Sequence, residues 1–459
     1  MNDLNRPHKF RDPVHGFVYL SDHEKELLDT VPFQRLRRIK QLSLTSYVYH
    51  GAEHTRFGHS IGAAHVCSRA FQSAVSKNRY EFSPDKEENR KIIIWLEQIL
   101  RLIALTHDLG HPPFSHAGEG LFPLKSENEG KKKSYKHEDL TEAIILSTEI
   151  ADIIVNIGNV FKESYGLQYD ITPDMICDIY KGTLPGKKSV FIFLRTFMDS
   201  EVDCDKMDYL LRDSLFCGVS YGKFDLERLI ACLTIFTKKG SDNPFLGIES
   251  GGVHVFEEFV LARYFMFVQV YFHRTRRYFD LLLSRALREV LPNGTFPINV
   301  SEYMKWDDAM VMQLLKNSAE NNENARGIIE RRPWTCVYST KVHPTGDGLR
   351  LFNSATRTIR DKFDRDLFNK HFVIDKSADK LPHKIIPRKY SLDDEDTIAI
   401  VNDESLKIST ISEESQIINN LTEKINVQRI YADDAHADKA KEAVRFLLSD
   451  STEDDENYE

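Results

Sequence analysis

The chain has 459 residues, 41% hydrophobic and 29% charged, which is ample for one large core with an appendage. Its formal net charge of −9 argues against a protein that grips duplex nucleic acid chiefly through phosphates, since that calls for a basic surface. The opening Met1-Asn2-Asp3-Leu4-Asn5-Arg6-Pro7 is polar, no apolar run reaches bilayer length, and six cysteines are scattered singly, so a cytoplasmic protein with reduced thiols and no membrane partner is expected.

In chain order, Arg35, Arg37, Arg38 and Lys40 form a basic cluster whose plain reading is a solvated or ion-paired face. His54-Thr55-Arg56-Phe57-Gly58-His59-Ser60 opens an apolar helical run. Residues 92–105 are apolar enough for a buried helix that leads into His107 and is ended by Gly110 and Pro112. Residues 125–133 have no apolar period and read as an exposed loop, after which His137-Glu138 restart a helix. Residues 201–213 read as a helix with a dense polar face, with Asp205, Tyr209 and Asp213 toward one side. Residues 255–291, aromatic-rich and free of Gly and Pro, predict one long interior helix carrying Arg263, Phe267, Val270, Tyr271 and Arg274 along a face. A second basic patch is His273-Arg274-Thr275-Arg276-Arg277. Past residue 380 the pattern changes: strands are expected at 397–401, 406–411 and 427–431 and a helix at 438–447, giving a small α/β unit over 381–448. The acidic tail, 449–459, is expected to be disordered.

The chemistry concentrates in His107-Asp108-Leu109-Gly110-His111-Pro112-Pro113-Phe114-Ser115-His116. Adjacent helical side chains point about 100° apart, so His107 and Asp108 can share one metal only at the rim of a cleft. Mixed imidazole and carboxylate donors without thiolates suit an open zinc, iron, manganese or magnesium site rather than a closed structural one. One upstream histidine and one distant aspartate would complete a four-ligand set.

The series HTRFGHS, HDLGHPPFSH and DCDKMDYLLRD resembles the HD-domain phosphohydrolases, and more narrowly their deoxynucleoside triphosphate triphosphohydrolase branch. Arg11-Asp12-Pro13-Val14-His15-Gly16, residues 33–42 and Tyr271-Phe272-His273 extend the likeness over residues 9–340, within a domain expected to span 1–380. The resemblance implies a mainly α fold, an HD-domain helical core with a small C-terminal α/β appendage. It implies His59, His107, Asp108 and Asp205 as ligands of one divalent metal, manganese, iron, zinc or magnesium, with additional magnesium on the triphosphate. By the same likeness His116 is the general acid, oriented or charged by Glu119 or Glu138, and His111 and His137 are further active-site histidines. Arg56, Lys206, Tyr209 and Arg263 match residues that hold the triphosphate. Gln41, Leu42, Asp213 and Tyr271 match those lining the sugar and base pocket, where the tyrosine leaves no room for a 2′-hydroxyl. The residue types make sense independently: a divalent ion makes a nucleophile available at neutral pH, guanidinium groups grip two oxygens at once, and an imidazole such as His116 is the natural candidate to protonate a leaving 5′-oxygen. Attack at the α-phosphate, releasing deoxynucleoside and intact triphosphate, is the expected reaction. Taken one at a time, each of these residues has a plain reading as a core, surface or ion-pair group.

The resemblance also implies a homo-oligomer, dimer or tetramer, with a nucleotide activator between subunits. Asp29, Gln34 and Arg37 agree with the family pattern for recognising a guanine there, and Arg228 and Arg274 keep a basic residue at two other activator positions. The match frays elsewhere. Arg11 stands where the vertebrate enzyme of this type has asparagine, Cys336 replaces an expected lysine, and Glu249-Ser250-Gly251-Gly252 loses two more positions. The alternatives are another HD phosphohydrolase, acting on a cyclic nucleotide or an alarmone, or a nucleotide sensor or single-strand-binding module without turnover. Tyr271, Lys206 and Arg263 argue against the first, and the complete ligand set with His116 argues against the second.

Overall fold

Strand β1 (His8–Asp12) turns back into β2 (Gly16–Leu20) because Asp12 Oδ1 accepts the Val14 and His15 amides and Gly16 supplies a left-handed residue. This computed structural model describes residues 6–77, 87–125, 133–166, 169–183, 189–237, 244–376, 398–402, 407–421 and 423–448. Helix α1 (Asp22–Asp29) starts with a capping box in which Ser21 and Glu24 satisfy each other's backbone amides. Helix α2 (Arg56–Ser76) lies along α3 (Glu87–Thr106), the buried helix expected before His107. Among the described residues no single helix is long and apolar enough to cross a membrane.

Glu24 ties this layer together. It is fully buried and accepts hydrogen bonds from Arg101 Nε at 2.6 Å, Arg101 Nη2 at 2.9 Å and Gln98 Nε2 at 3.1 Å. Burial pushes its carboxyl up, but the Arg101 guanidinium outweighs that and holds it at about 2. A carboxyl depressed on folding stabilises the protein above its ordinary value of 4.5, and that contribution is lost as pH falls from there toward 2. We therefore expect Glu24→Gln to cost about 3–5 kcal/mol at pH 7, because it strands a buried guanidinium. The gap from wild type should shrink by about 3 kcal/mol between pH 5 and 2, followed by urea melts. A gap independent of pH would show that the charge of Glu24 is not what matters.

Two glycines let elements approach the centre. A Cβ on Gly62 of α2 would sit 2.0 Å from Asp208 Oδ1, on α5 (Cys204–Cys217), so only glycine admits this pair at that spacing. A Cβ on Gly110 would lie 2.1 Å from the His137 carbonyl oxygen, at the start of α4 (His137–Ser147), which fixes the turn after α3 against that helix.

The long helix expected over 255–291 is instead two. Helix α6 (Val253–Met266) runs into a π-helical turn, Phe267–Tyr271, then breaks at Phe272 and His273 before α7 (Arg274–Val290). Side-chain demands override propensity here: the Tyr271 hydroxyl bonds Asp213 at 2.7 Å, and the Tyr271 carbonyl is taken by the Arg276 guanidinium. The first basic cluster is also not one solvated face. Arg35 is wholly buried and donates to the carbonyls of Trp306 at 2.7 Å and His111 at 3.0 Å, whereas Arg38 pairs with Asp307 and Lys40 with Glu53.

The strands expected late in the chain are present, and they complete sheets begun earlier. Strand β7 (Ala399–Val401) joins β4 (Pro244–Glu249) in parallel, within the order β3 (Leu233–Thr237), β4, β7, β8 (Ile408–Thr410). Strand β9 (Gln428–Ala432) lies between β5 (Thr335–Ser339) and β6 (Phe372–Lys376), antiparallel to both. A second apolar cluster, including Phe352, Phe363 and Val444, covers this sheet with α8 (Gly346–Phe363), α9 (Arg365–His371) and α10 (Asp434–Leu448). The last helix thus begins at Asp434 rather than 438, because Asp433 Oδ1 accepts the His436 amide and caps it. None of the six cysteines is joined in a disulfide, and five of them are buried. Residues 126–132 of the expected loop, residues 381–397 and the tail 449–459 lie outside the described residues.

Candidate metal centre and active site

Three helix ends meet at one point. The first turn of α2 supplies His59, the unwinding end of α3 supplies His107 and Asp108, and the first turn of α5 supplies Asp205. His59 Nε2 lies 2.8 Å from Asp205 Oδ1 and 3.8 Å from Asp108 Oδ2. His107 Nε2 lies 3.3 Å from Asp108 Oδ1 and 3.6 Å from Asp205 Oδ1. His107 Nδ1 is 2.7 Å from the Ala104 carbonyl, so it carries the proton, and Nε2 is a bare lone pair aimed at carboxylates. That Nε2 is buried with no hydrogen-bond partner among the described residues. Burial lowers the His59 ring, yet its bonds to Asp205 and Asp208 push it up to about 10, and Asp205 and Asp108 are both held well below the ordinary carboxylate range. Converging lone pairs and ionised carboxylates call for positive charge at this point. The donor atoms of His59, His107 and Asp108 lie within 4.8 Å of one another and fit a divalent metal ion, with Asp205 adjoining through the two histidines.

The support for these donors is a buried carboxylate that the sequence reading missed. Asp208 accepts from His59 Nδ1 at 2.7 Å, His15 Nε2 at 2.6 Å and Arg212 Nε and Nη2 at 2.9 Å each, and Arg212 Nη1 reaches Asp12 at 3.0 Å. Asp208 thereby fixes the His59 tautomer and turns Nε2 toward Asp205. Its signal was present in DCDKMDYLLRD: Asp208 lies one helical turn past Asp205, where it shares a face with it.

A second group of titratable side chains adjoins the first. His111 Nε2 lies 3.3 Å from Asp108 Oδ1, and its ring stacks on His137 at 3.9 Å and meets His116 edge-on at 4.9 Å. Glu119 accepts from His116 Nδ1 at 3.1 Å and from His137 Nδ1, which hold its carboxyl far below the ordinary range although burial opposes this. Glu138 sits beside His137, 3.5 Å from Nδ1. The His116 side chain is 67% exposed and so open to a ligand. The turn that aims it is strained: Phe114 and Ser115 both have positive φ, 60° and 55°, and Ser115 is locked by a bond from Arg56 Nε and one to the Lys40 carbonyl.

Among the remaining candidates, Arg56 is buried and donates from Nη1 to Asp108 at 2.6 Å, so it touches the metal-ligand set directly. Lys206 binds the Ser200 carbonyl at 2.8 Å and Asp203, while Arg263 reaches Glu201 at 3.2 Å, and the two cations flank Tyr209. The Tyr209 ring lies 6.5 Å from His59 and 6.4 Å from Tyr271, forming a continuous aromatic wall. Asp213 bonds both Tyr271 and His54, the latter at 2.8 Å, and the Gln41 amide binds the His54 carbonyl, with Leu42 buried next to it. Gln41 Oε1, His54 Nδ1 and Arg263 Nε are further buried atoms without partners among the described residues. Asp29, Gln34 and Arg37 gather near the end of α1: Asp29 pairs with Lys25, Gln34 binds the Leu28 carbonyl, and Arg37 donates to Gln34 and covers the Phe57 ring. Arg228 bonds the Gly251 carbonyl at 3.0 Å, and Arg274 is exposed at the start of α7.

Comparison with known proteins places this geometry in context. Residues 224–457 match the family model described as HD associated region. The uncharacterized protein YwfO of Bacillus subtilis is 35% identical over 286 residues, 62% of this chain and 56% of that protein. The deoxynucleoside triphosphate triphosphohydrolase SAMHD1 of Gallus gallus is 27% identical over 347 residues, 70% of this chain and 54% of that protein. The chain therefore spans little more than half the length of the curated relatives it matches. A crystal structure of a hypothetical protein from Aquifex aeolicus superposes with a TM-score of 0.73 at 28% identity, covering 95% of this chain and 99% of that one. The matched family region, these relatives and the His and Asp cluster agree, and the chain belongs to the HD-domain phosphohydrolase family.

Proposed function

We propose that the protein hydrolyses deoxynucleoside triphosphates at the α-phosphate, adding water and releasing deoxynucleoside and triphosphate. The observation that carries this reading is the bare His107 Nε2 among His59, Asp108 and Asp205, with Lys206 and Arg263 set about Tyr209, whose ring lies 6.5 Å from that of His59. Bound by these four donors, a divalent ion would polarise the phosphoryl oxygen and supply a nucleophile at neutral pH. Lys206 and Arg263 neutralise the phosphate chain, and Arg56 holds Asp108 ionised and in place. Tyr271, fixed by Asp213, closes the floor of the sugar site. His116, poised on ionised Glu119, gives its proton to the departing 5′-oxygen. The relatives named as deoxynucleoside triphosphate triphosphohydrolases support the same substrate.

Incubating the protein with each nucleotide and manganese or magnesium, then resolving products, tests the reading. Deoxynucleoside plus triphosphate supports it. Monophosphate plus pyrophosphate, or binding without turnover, overturns it, the latter in favour of a sensor. In the same assay His116→Gln should lower kcat about 10²–10⁴-fold with metal content unchanged. An unaltered kcat would remove His116 from proton transfer.

A further inference from the structure

The C-terminal part of the chain holds a third convergence of donors, unconnected in sequence with the HD motif. His371 ends α9, Asp433 follows β9, and His436 lies in the first turn of α10. His371 Nδ1 is 2.6 Å from Asp433 Oδ2, and His436 Nδ1 is 2.6 Å from Asp433 Oδ1. The two imidazoles stack at 4.3 Å with 28° between planes, so both Nδ1 atoms address the same carboxylate. All three donor atoms lie within 4.8 Å of one another. The backbone fixes the arrangement, because the Asp433 amide binds the His371 carbonyl at 3.2 Å and Asp433 Oδ1 caps α10 through the His436 amide at 3.1 Å. Phe363 and Phe372 wall the His436 side at 5.7 and 6.2 Å between ring centres, while each donor side chain keeps 19–23% exposure, which leaves an entry path and room for water.

We infer that His371, Asp433 and His436 form a binding site for a divalent ion of the zinc class that is separate from the phosphoryl centre. Two imidazole nitrogens and one carboxylate oxygen, with water in the fourth position, are a donor set that zinc accepts. Around a tetrahedral ion with bonds of about 2.0–2.2 Å, donors stand about 3.3–3.5 Å apart, so the nitrogens need to move back from the carboxylate by under about 1 Å. Each ring then keeps its proton on Nε2 and gives the Nδ1 lone pair to the ion. Such an ion bolts the end of α9 to the start of α10 across the edge where β6 and β9 meet, and its role is structural.

The test counts ions with cobalt(II) or zinc as the probe, using the full chain. His371→Phe and His436→Phe keep an aromatic ring in the stack but remove the donor. Each should lower the bound ions by one per chain, and each should abolish part of the rise in Tm that excess zinc gives the wild type. Circular dichroism of the metal-depleted variants, matching wild type, separates lost binding from lost folding. His107→Ala should lower the count independently, and a failure there speaks against the HD-site reading alone. A count that neither phenylalanine variant changes overturns the inference and leaves the triad as a hydrogen-bonded helix cap.

Discussion

Asp208→Ala should damage fold and site together, costing about 3–5 kcal/mol of stability and weakening the metal about 10–100-fold. Asp208 is wholly buried and is the common acceptor for His15, His59 and Arg212. Without it the Arg212 guanidinium keeps Asp12 alone among the described carboxylates, and His59 loses the group that sets its tautomer. The Gly62 contact makes the damage local to the α2 and α5 junction, since that glycine exists to admit this carboxylate. Denaturant melts give the stability loss, and competition with a chelator gives the affinity loss. Should stability fall while metal affinity holds, Asp208 would be a strut between helices and no more.

His107→Ala should show the opposite profile: little structural cost and total loss of catalysis. Its Nδ1 bonds a carbonyl of its own helix, and its Nε2 has no hydrogen-bond partner among the described residues, so removal sacrifices only about 1–3 kcal/mol. Yet it deletes one of the two imidazoles among the proposed donors and leaves a single nitrogen with two carboxylates, a poorer set for a divalent ion of the zinc class. Metal content per chain should drop by about one ion, and turnover should match that of chelator-treated wild type. Wild-type turnover in this variant would sink the proposed hydrolysis.

The His107 and Asp108 pair was legible as mixed metal donors from residue type alone, whereas His59 and Asp205 entered as candidates through the resemblance that HTRFGHS and DCDKMDYLLRD carry. What supports them was harder to see. Asp208 and Arg212 look like the solvated face of a polar helix until α2, thinned by Gly62, is laid against them. Arg35 reads as surface charge, yet it is spent on the carbonyls of the turn after Asp108. The break at Phe272 and His273 leaves no Gly or Pro as a marker, because tertiary bonds to Tyr271 and Arg276 impose it. Local periodicity cannot register a cause that lies 58 residues away along the chain, as Asp213 does from Tyr271. The late strands were visible as strands, but their partners were not, since pairing with β4, β5 and β6 is a matter of topology.

That topology bears on how the polypeptide matures on the ribosome. The middle member of the β5, β9, β6 sheet is the last of the three to be synthesised, so until residue 432 emerges its two neighbours expose unsatisfied edges to every other chain nearby. The growing polypeptide is thus most exposed to aggregation in the interval between the making of β6 and the making of β9, and the late-made middle strand shields the two that precede it.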